Sequence, residues 1–403
     1  IHQNMVAEQF TVWARVVKDK RSGIFVTNSI ESEALAAALQ EAGKIAELSP
    51  PNPAWVPLPS DIVETHPRET VDEATADCPP QVRAVMVKNM IDLWQKEGCR
   101  GAGALCTELD ELHVFNSHGL ASSFRKTLSV LSCIVQAEDG SGYAQGAANA
   151  LVNLDEKALA QEAMETARRG ASPHSMEAGE YDVVLSPYAA ADLLEMLSYM
   201  GFSALKVQEG ESFLCDKIGF QITGENIDVW DDGTDPAGFV LPFDFEGAPK
   251  KRVDIIKKGI AVSPVYDRLT AAKENKVSTG HALPPDQQHL GPVCFHLFMS
   301  GGQHTEDELI EELGEGLYIT RFHYTNPVRP REALVTGMTR DGLFWVEKGK
   351  IKYGLRNMRF TQGILDALSR VEKLGQQKVL PLENIGSIVA PALLIRRFRF
   401  TSA

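Results

Sequence analysis

The chain has 403 residues, of which 44% are hydrophobic and 23% are charged, so it is long enough for two or three globular domains with sizeable cores. Its 40 Lys and Arg residues against 54 Asp and Glu residues leave a formal net charge of −14, which argues against direct binding to nucleic acid. The 6 cysteines include no CxxC pair and no apolar stretch approaches the ~20 residues that span a bilayer, so a reduced, cytoplasmic protein is expected.

The first predicted elements are two short strands followed by a helix. Residues 10–16 show the period-two alternation of a half-buried strand, and residues 23–27 form a second apolar run. The segment 28–31 resembles a capping box, so a helix is expected to follow and to end before the proline-rich stretch at Pro50. Because a strand needs neighbours and little chain precedes this one, we expect a further N-terminal segment before Ile1.

The middle of the chain is predicted to combine helices with short strands. Two prolines after Asp77 open a helix, and strands are expected near residues 102–107, 113–117 and 120–136. A helix at about 155–169 closes this unit.

Beyond residue 180, most of the predicted elements are short strands. An apolar strand at 181–185 leads through Ser186-Pro187 into a helix that ends at about Met200, and later helices are expected at 306–313 and 363–374. Because there is no regular βαβ alternation, the predicted fold is α+β, with mixed N-terminal and middle domains before a larger, mainly antiparallel β domain. The expected organisation is the remainder of a first domain at 1–48, a linker at 49–78, a middle domain at 79–175 and a C-terminal domain at 180–401.

Local signatures of several enzyme classes are absent from the sequence. There is no GxxxxGKS or GxxxxGKT loop, no GxSxG elbow and no HExxH zinc motif. The segment Ser278-Thr279-Gly280-His281 places a hydroxyl near an imidazole, but neighbours in sequence rarely form a nucleophile–base pair. A tight turn is therefore predicted there.

An acidic segment between residues 228 and 246 is the main candidate for chemistry. As a calcium loop it fails, because Trp230 and Phe239 occupy positions that must supply oxygen ligands. Its carboxylates suit acid–base work or the wall of an acidic cleft, while turn-forming aspartates that accept backbone N–H bonds are the favoured alternative. The possible cleft-lining residues are Asp231, Asp232, Asp244, Glu246 and His281.

Several short motifs occur in a fixed order along the chain. They include Tyr181-Asp182-Val183-Val184-Leu185-Ser186-Pro187, Gly210-Glu211-Ser212-Phe213-Leu214, Asp231-Asp232-Gly233-Thr234, Asp244-Phe245-Glu246-Gly247-Ala248-Pro249, Ser278-Thr279-Gly280-His281 and Gly316-Leu317-Tyr318-Ile319-Thr320. The series resembles the TldD/PmbA family, whose members are also called TldE or modulator of DNA gyrase. The likeness extends over nearly the whole chain from Asn4 onward.

The resemblance implies a particular helix for a metal site. TldD-like members are zinc peptidases with HExxxH on the helix after the Val-Val-Leu strand and a further cysteine ligand near the C-terminus. Here Glu195 and Met200 stand at the histidine positions, Met196 replaces the glutamate base, and the last cysteine is Cys294. A thioether is a poor zinc donor, so the resemblance is to the PmbA/TldE branch and no metal is expected in this chain.

In that branch the family implies a non-catalytic subunit. The expected partner is a TldD-like homologue that carries the zinc, in a heterodimer whose chamber receives unfolded peptides, with the acidic segment as a candidate wall. Two alternatives stay open. One is a peptidase with a non-standard metal site that draws on His281, His296, His304 or His323, and the other is a homodimeric peptide-binding protein.

Overall fold

The computed structural model describes residues 3–60, 70–382 and 386–402. The chain opens with an antiparallel hairpin of β1 (Val12–Lys18) and β2 (Arg21–Thr27), joined by Asp19 and Lys20 in the left-handed region. This geometry matches the right-handed twist of the strands. Helix α1 (Ser32–Leu48) packs on one face of the hairpin. The predicted strand–strand–helix order is found, while Ile1 and part of the predicted linker, residues 61–69, lie outside the described residues.

A three-stranded antiparallel meander forms the second unit. Helices α2 (Glu73–Ala76) and α3 (Pro80–Lys96) precede β3 (Arg100–Phe115), β4 (Ala121–Ala137) and β5 (Gly140–Ala148), and α4 (Glu156–Arg169) follows. The two short strands predicted at 102–107 and 113–117 are one continuous strand, β3, because every residue pairs with β4 in unbroken register.

Strand β5 was not predicted from the sequence, and its glycines explain why. They give no hydrophobic alternation, yet they allow α4 to lie directly on the strand. A Cβ atom added at Gly142 would lie 2.0 Å from the Ala163 carbonyl oxygen of α4. Close packing of helix on strand therefore selects glycine here.

The remaining strands form one large sheet. In the described part of the chain its main path runs β13-β12-β11-β6-β16-β10-β7-β8-β9, while β14 and β15 join it at β16. Two pairs, β11 with β6 and β10 with β16, are parallel, and the other pairs are antiparallel. The strands are β6 (Gly179–Leu185), β7 (Val229–Asp231), β8 (Val253–Lys257), β9 (Ile260–Ala261), β10 (His296–Met299), β11 (Glu315–Arg329), β12 (Leu334–Glu347), β13 (Lys350–Gly354), β14 (Arg359–Gly363), β15 (Val371–Leu382) and β16 (Gly386–Ser402).

Five α-helices accompany this sheet in the part of the chain that the structure describes. They are α5 (Pro187–Leu197), α6 (Ala204–Gln208), α7 (Arg268–Lys273), α8 (Glu306–Leu313) and α9 (Ile364–Ser369). The helix predicted at 363–374 was too long, because the chain after residue 370 becomes β15 and pairs with the buried strand β16. The predicted α+β class with a mainly antiparallel C-terminal sheet is confirmed. No helix among the described residues is long and apolar enough to cross a membrane.

Candidate functional site

Helix α5 and the turn after it carry the three positions where the resemblance expects a zinc motif in TldD-like proteins. Ser186 caps the helix by accepting a hydrogen bond from the Tyr188 backbone N–H at 3.1 Å, and Pro187 fills the first turn. A short π-helical turn, Ser198–Phe202, extends it. The inner face packs into the largest hydrophobic core through Leu193, Leu194, Leu197 and Met200.

The two expected ligand positions on this helix face different environments. In an α-helix, residues five apart are rotated by about 140° around the axis. Glu195 is exposed and Met196 is half-buried, whereas Met200 is completely buried. The thioether of Met200 is thus a core group, and the Glu195 carboxylate lies at the surface.

A buried carboxylate–imidazole pair lies elsewhere, on the large sheet. Asp231 ends strand β7, and its Oδ1 lies 2.8 Å from His281 Nε2, while its Oδ2 accepts a hydrogen bond from the His296 backbone N–H at 2.9 Å. Both side chains are fully buried. Burial opposes ionisation of Asp231, but the neighbouring His281 and Lys250 outweigh it and hold the pKa of Asp231 below its usual value.

Thr279 completes a chain of contacts through this pair. Its Oγ1 lies 2.9 Å from His281 Nδ1 and accepts a hydrogen bond from the Tyr266 backbone N–H at 2.7 Å. Burial and Lys250 lower the pKa of His281, so the imidazole is neutral. A neutral ring that donates from Nε2 to Asp231 can only accept at Nδ1, and the single Thr279 hydroxyl proton is shared between His281 Nδ1 and the Tyr266 carbonyl oxygen, each 2.9 Å away.

The predicted turn at residues 278–281 is present, and it does more than reverse the chain. Gly280 has a φ of 78°, and its N–H donates to Ser278 Oγ at 3.1 Å. The sequence analysis argues against a nucleophile–base pair here, and the turn nevertheless brings Thr279 Oγ1 within 2.9 Å of His281 Nδ1. Since Thr279 and His281 are both buried, the arrangement serves packing and orientation rather than attack on a substrate.

Two buried basic side chains border the same cluster. Lys250 Nζ and both ring nitrogens of His296 have no hydrogen-bond partner among the described residues. Burial first, and then the charge of Lys250, hold the pKa of His296 well below its usual value. The cluster therefore combines the Asp231 carboxylate with buried basic side chains that favour its ionised form.

Asp244 organises the turn that follows. Its Oδ1 accepts hydrogen bonds from the backbone N–H groups of Glu246 and Ala248, and its Oδ2 accepts one from Ala282, each at 2.9 Å. Burial and the nearby Glu246 charge raise the pKa of Asp244 to about 7. This is the turn-forming role that the sequence favoured for the acidic segment.

Glu246 joins the first hairpin to the rest of the chain. Its Oε1 lies 3.1 Å from Nη1 of Arg15 on β1, and its Oε2 lies 3.1 Å from Nε of Arg268 on α7. Gln288 Nε2 donates to Glu246 Oε1 at 3.0 Å, and Trp55 stacks against Arg268. The exposed fractions of the three charged side chains are 3% for Glu246, 8% for Arg15 and 11% for Arg268.

The predicted cleft-lining residues are therefore placed as follows. Asp231, Asp244, Glu246 and His281 are buried, and only Asp232 is half-buried, where it caps the following turn through Thr234. The structure brings Asp231 together with His281, and Asp244 with Glu246. Their role as a cleft wall stays a prediction.

The histidines considered for a non-standard metal site are dispersed. His281 and His296 border the buried cluster, His304 lies in an isolated bridge with Gly375, and His323 lies on β11. Over residues 3–60, 70–382 and 386–402, no three His, Cys, Asp or Glu side chains are arranged to hold one metal ion.

A second polar region joins the second unit to the large sheet beside α5. Asp192 Oδ2 accepts a hydrogen bond from Thr325 Oγ1 at 2.6 Å, and burial raises the pKa of Asp192 to about 6. Arg321 on the same strand as Thr325 forms an ion pair with Asp341. The sequence analysis missed Asp192 and Arg321, since no local motif marks them and their partners are distant in the chain.

Models of one protein family match the chain almost from end to end. The PmbA/TldA metallopeptidase domain 1 matches residues 1–46, the central domain matches 69–171 and the C-terminal domain matches 178–402. These matches, together with the mixed fold and its large C-terminal sheet, define a metallopeptidase-type protein. The chain belongs to the PmbA/TldA metallopeptidase family, which confirms the family named in the sequence analysis.

Individual relatives agree with this assignment. Metalloprotease PmbA of Escherichia coli O157:H7 is 24% identical over 400 residues, covering 94% of this chain and 84% of that protein. The crystal structure of TldE from Thermococcus kodakarensis matches with a TM-score of 0.87 at 20% identity, covering 96% of this chain and 89% of that one. A Thermotoga maritima protein described as a candidate modulator of a DNA gyrase gives a TM-score of 0.83 at 22% identity, covering 96% and 88%. At these identities the two structures show a shared fold.

Proposed function

We propose that this chain is a TldE/PmbA-like subunit of a TldD-type metallopeptidase assembly, non-catalytic itself, which helps to enclose the chamber in which peptides are cleaved. Its partner in this proposal is a TldD-like homologue that carries the zinc and the HExxxH motif. In this proposal the chain forms part of the wall of the chamber and controls access to it, and the substrate is an unfolded peptide.

The observation that supports this proposal most directly is the geometry of α5. A zinc site on this helix needs imidazole, thiolate or carboxylate donors that converge on one point. Met200 instead fills the core, Glu195 lies at the surface and Met196 offers no carboxylate to activate a water. The same helix has a continuous apolar face, so packing explains its sequence without a metal.

An alternative is a hydrolase that uses Thr279, His281 and Asp231, because these side chains contact one another in the order of a catalytic triad. They are, however, not accessible to a substrate. All three side chains are buried, and Thr279 Oγ1 already contacts the backbone of Tyr266. A nucleophile needs an open approach for the scissile carbonyl. The contacts among Thr279, His281 and Asp231 therefore favour a structural role.

The test is reconstitution with the TldD-like homologue from the same source. Each chain is purified alone and then mixed, and cleavage of an unstructured peptide is followed by mass spectrometry. We expect a stable hetero-complex, zinc only in the partner by elemental analysis, and much faster cleavage in the mixture. A mixture whose partner lacks the motif glutamate should be inactive, which serves as the control. Stoichiometric zinc in this chain alone, or peptide cleavage by it alone, would overturn the proposal.

A further inference from the structure

A half-open cleft of about 300 Å³ lies between the β4–β5 hairpin and strands β11 and β12. This volume is at the small end of the range for ligand sites and suits one or two amino-acid residues. Its side chains come from two units that are far apart in sequence. The polar residues that line it are Gln136, Ser141, His323, Arg340, Asp341 and Asn357.

Asp341, which lines the cleft, forms an ion pair with Arg321. Arg321 Nε donates to Asp341 Oδ2 at 2.8 Å, and Ser141 Oγ donates to Asp341 Oδ1 at 2.7 Å. The ring of Tyr143 lies 4.0 Å from the Arg321 guanidinium carbon. Both oxygens of the buried Asp341 are thus occupied, and its negative charge is already balanced by Arg321.

Arg340 is a second cation beside the Arg321–Asp341 ion pair. Its Nε lies 3.9 Å from Asp341 Oδ2, too far for a hydrogen bond, and 46% of its side chain is exposed. A bulge places Asp341 and Gly342 opposite the single residue Thr320, with Asp341 at a φ of 53°. Such bulges redirect neighbouring side chains, and here Arg340 lines the cleft.

Neutral donors and apolar walls complete the site. Thr339 Oγ1 contacts the Asn357 side-chain oxygen at 3.4 Å, so the Asn357 NH₂ group keeps its donor capacity. Burial and the adjacent Arg340 lower the pKa of His323, which leaves a neutral imidazole at pH 7. Ile134 and Met338 supply apolar surface.

We propose that this cleft binds a carboxylate group of a short peptide, with the Arg340 guanidinium as the anchor. A surplus cation among neutral donors is unusual on a chain with a net charge of −14, and guanidinium groups bind carboxylates in a bidentate manner. The carboxylate comes from the C-terminus of the peptide or from an acidic side chain, and the cleft chemistry is the same for both. This inference rests on the proposed function, because it names the part of the peptide that this subunit would hold.

The test measures peptide binding to the full chain by calorimetry or by chemical-shift changes. The probes are N-acetyl-trialanine as the free acid, its C-terminal amide, and an amidated tripeptide with a central glutamate. Arg340→Gln is compared with Arg329→Gln, an exposed arginine on the same sheet that pairs with Glu332. Because Arg340 is half exposed, the variant should fold normally, and circular dichroism verifies this.

We expect the free acid, or the glutamate peptide, to bind at least about tenfold more weakly to the Arg340→Gln chain, while Arg329→Gln binds like the unmodified chain. If the free acid binds more tightly than its amide, the cleft holds the terminal carboxylate of the peptide. If the glutamate peptide binds more tightly than the amide, the cleft holds a side-chain carboxylate. Equal binding of all three probes, no binding of either acid, or an unchanged affinity in Arg340→Gln would overturn the inference. If the reconstituted mixture cleaves peptides but the cleft binds none of the acid probes, only this inference is contradicted. The proposed subunit role is tested separately by the activity of the mixture.

Discussion

The Glu246 ion network offers the sharpest test of how the first hairpin is held. The Glu246→Gln substitution keeps the size of the side chain and removes its charge. It leaves Arg15 on β1 and Arg268 on α7 buried without the carboxylate that both contact at 3.1 Å. Gln288 and Trp55 remain as neighbours, but neither supplies a negative charge.

Removal of one partner of a buried ion pair costs about 3–5 kcal/mol, because a buried charge is left uncompensated. We expect Glu246→Gln to lower the free energy of unfolding by about 3 kcal/mol. This value is at the low end of that range because the amide still accepts one hydrogen bond. The matched control is Glu47→Gln. Its ion pair with Lys18 spans 3.5 Å, both side chains are more than 60% exposed, and we expect a change below about 1 kcal/mol.

The assay is urea unfolding followed by tryptophan fluorescence, together with limited proteolysis of the first hairpin. The midpoint should fall in Glu246→Gln with little change in slope, and cleavage after the first helix should become faster. Equal midpoints for Glu246→Gln and Glu47→Gln would refute the argument that burial makes this network important.

Three further outcomes follow from the described contacts. Asp192 has a pKa of about 6 in the folded chain, above the usual 3.8 of an aspartate, so the folded state binds more protons between these values and stability falls as pH rises through that window. Asp192→Asn should flatten this fall by about 2 kcal/mol between urea titrations at pH 4 and pH 7, and an unchanged pH dependence would contradict it. Asp231→Asn should lower the free energy of unfolding by about 3 kcal/mol, since it removes a buried carboxylate charge that faces His281 and Lys250, and a loss below about 1 kcal/mol would argue against an ionised Asp231. Gly142→Ala should lower the free energy of unfolding by more than about 2 kcal/mol, because the added Cβ would clash with the backbone of α4. Gly43→Ala in helix α1 has no atom within 4 Å of the added Cβ and should stabilise the protein by up to about 1 kcal/mol. Similar effects at both sites would show that the packing argument is wrong.

Local signals in the sequence were sufficient for several elements. The helix predicted at residues 306–313 is α8 with the same bounds, because Thr305 and Glu308 form a reciprocal capping box that depends only on neighbours in the chain. Ser186-Pro187 likewise fixes the start of α5. The order of short motifs was also enough to identify the family.

Elements that depend on distant partners were predicted less well. The sequence predicts a helix that runs into the first residues of strand β15, since the pairing of β15 with β16 has no local signal. Strand β5 was missed because its glycines are explained only by the helix that lies on it. In both cases tertiary contacts override local propensity.

The assignment of Glu195 and Met200 to the histidine positions of the family motif can be made from local sequence alone, and it stays a prediction. The packing of the folded chain places these side chains in different environments, with Met200 in the core and Glu195 at the surface. It also decided that Asp231 meets His281 across 50 residues and that Glu246 meets Arg15 across 231. Such contacts depend on how strands and turns pack in space, which no local spacing of residues encodes.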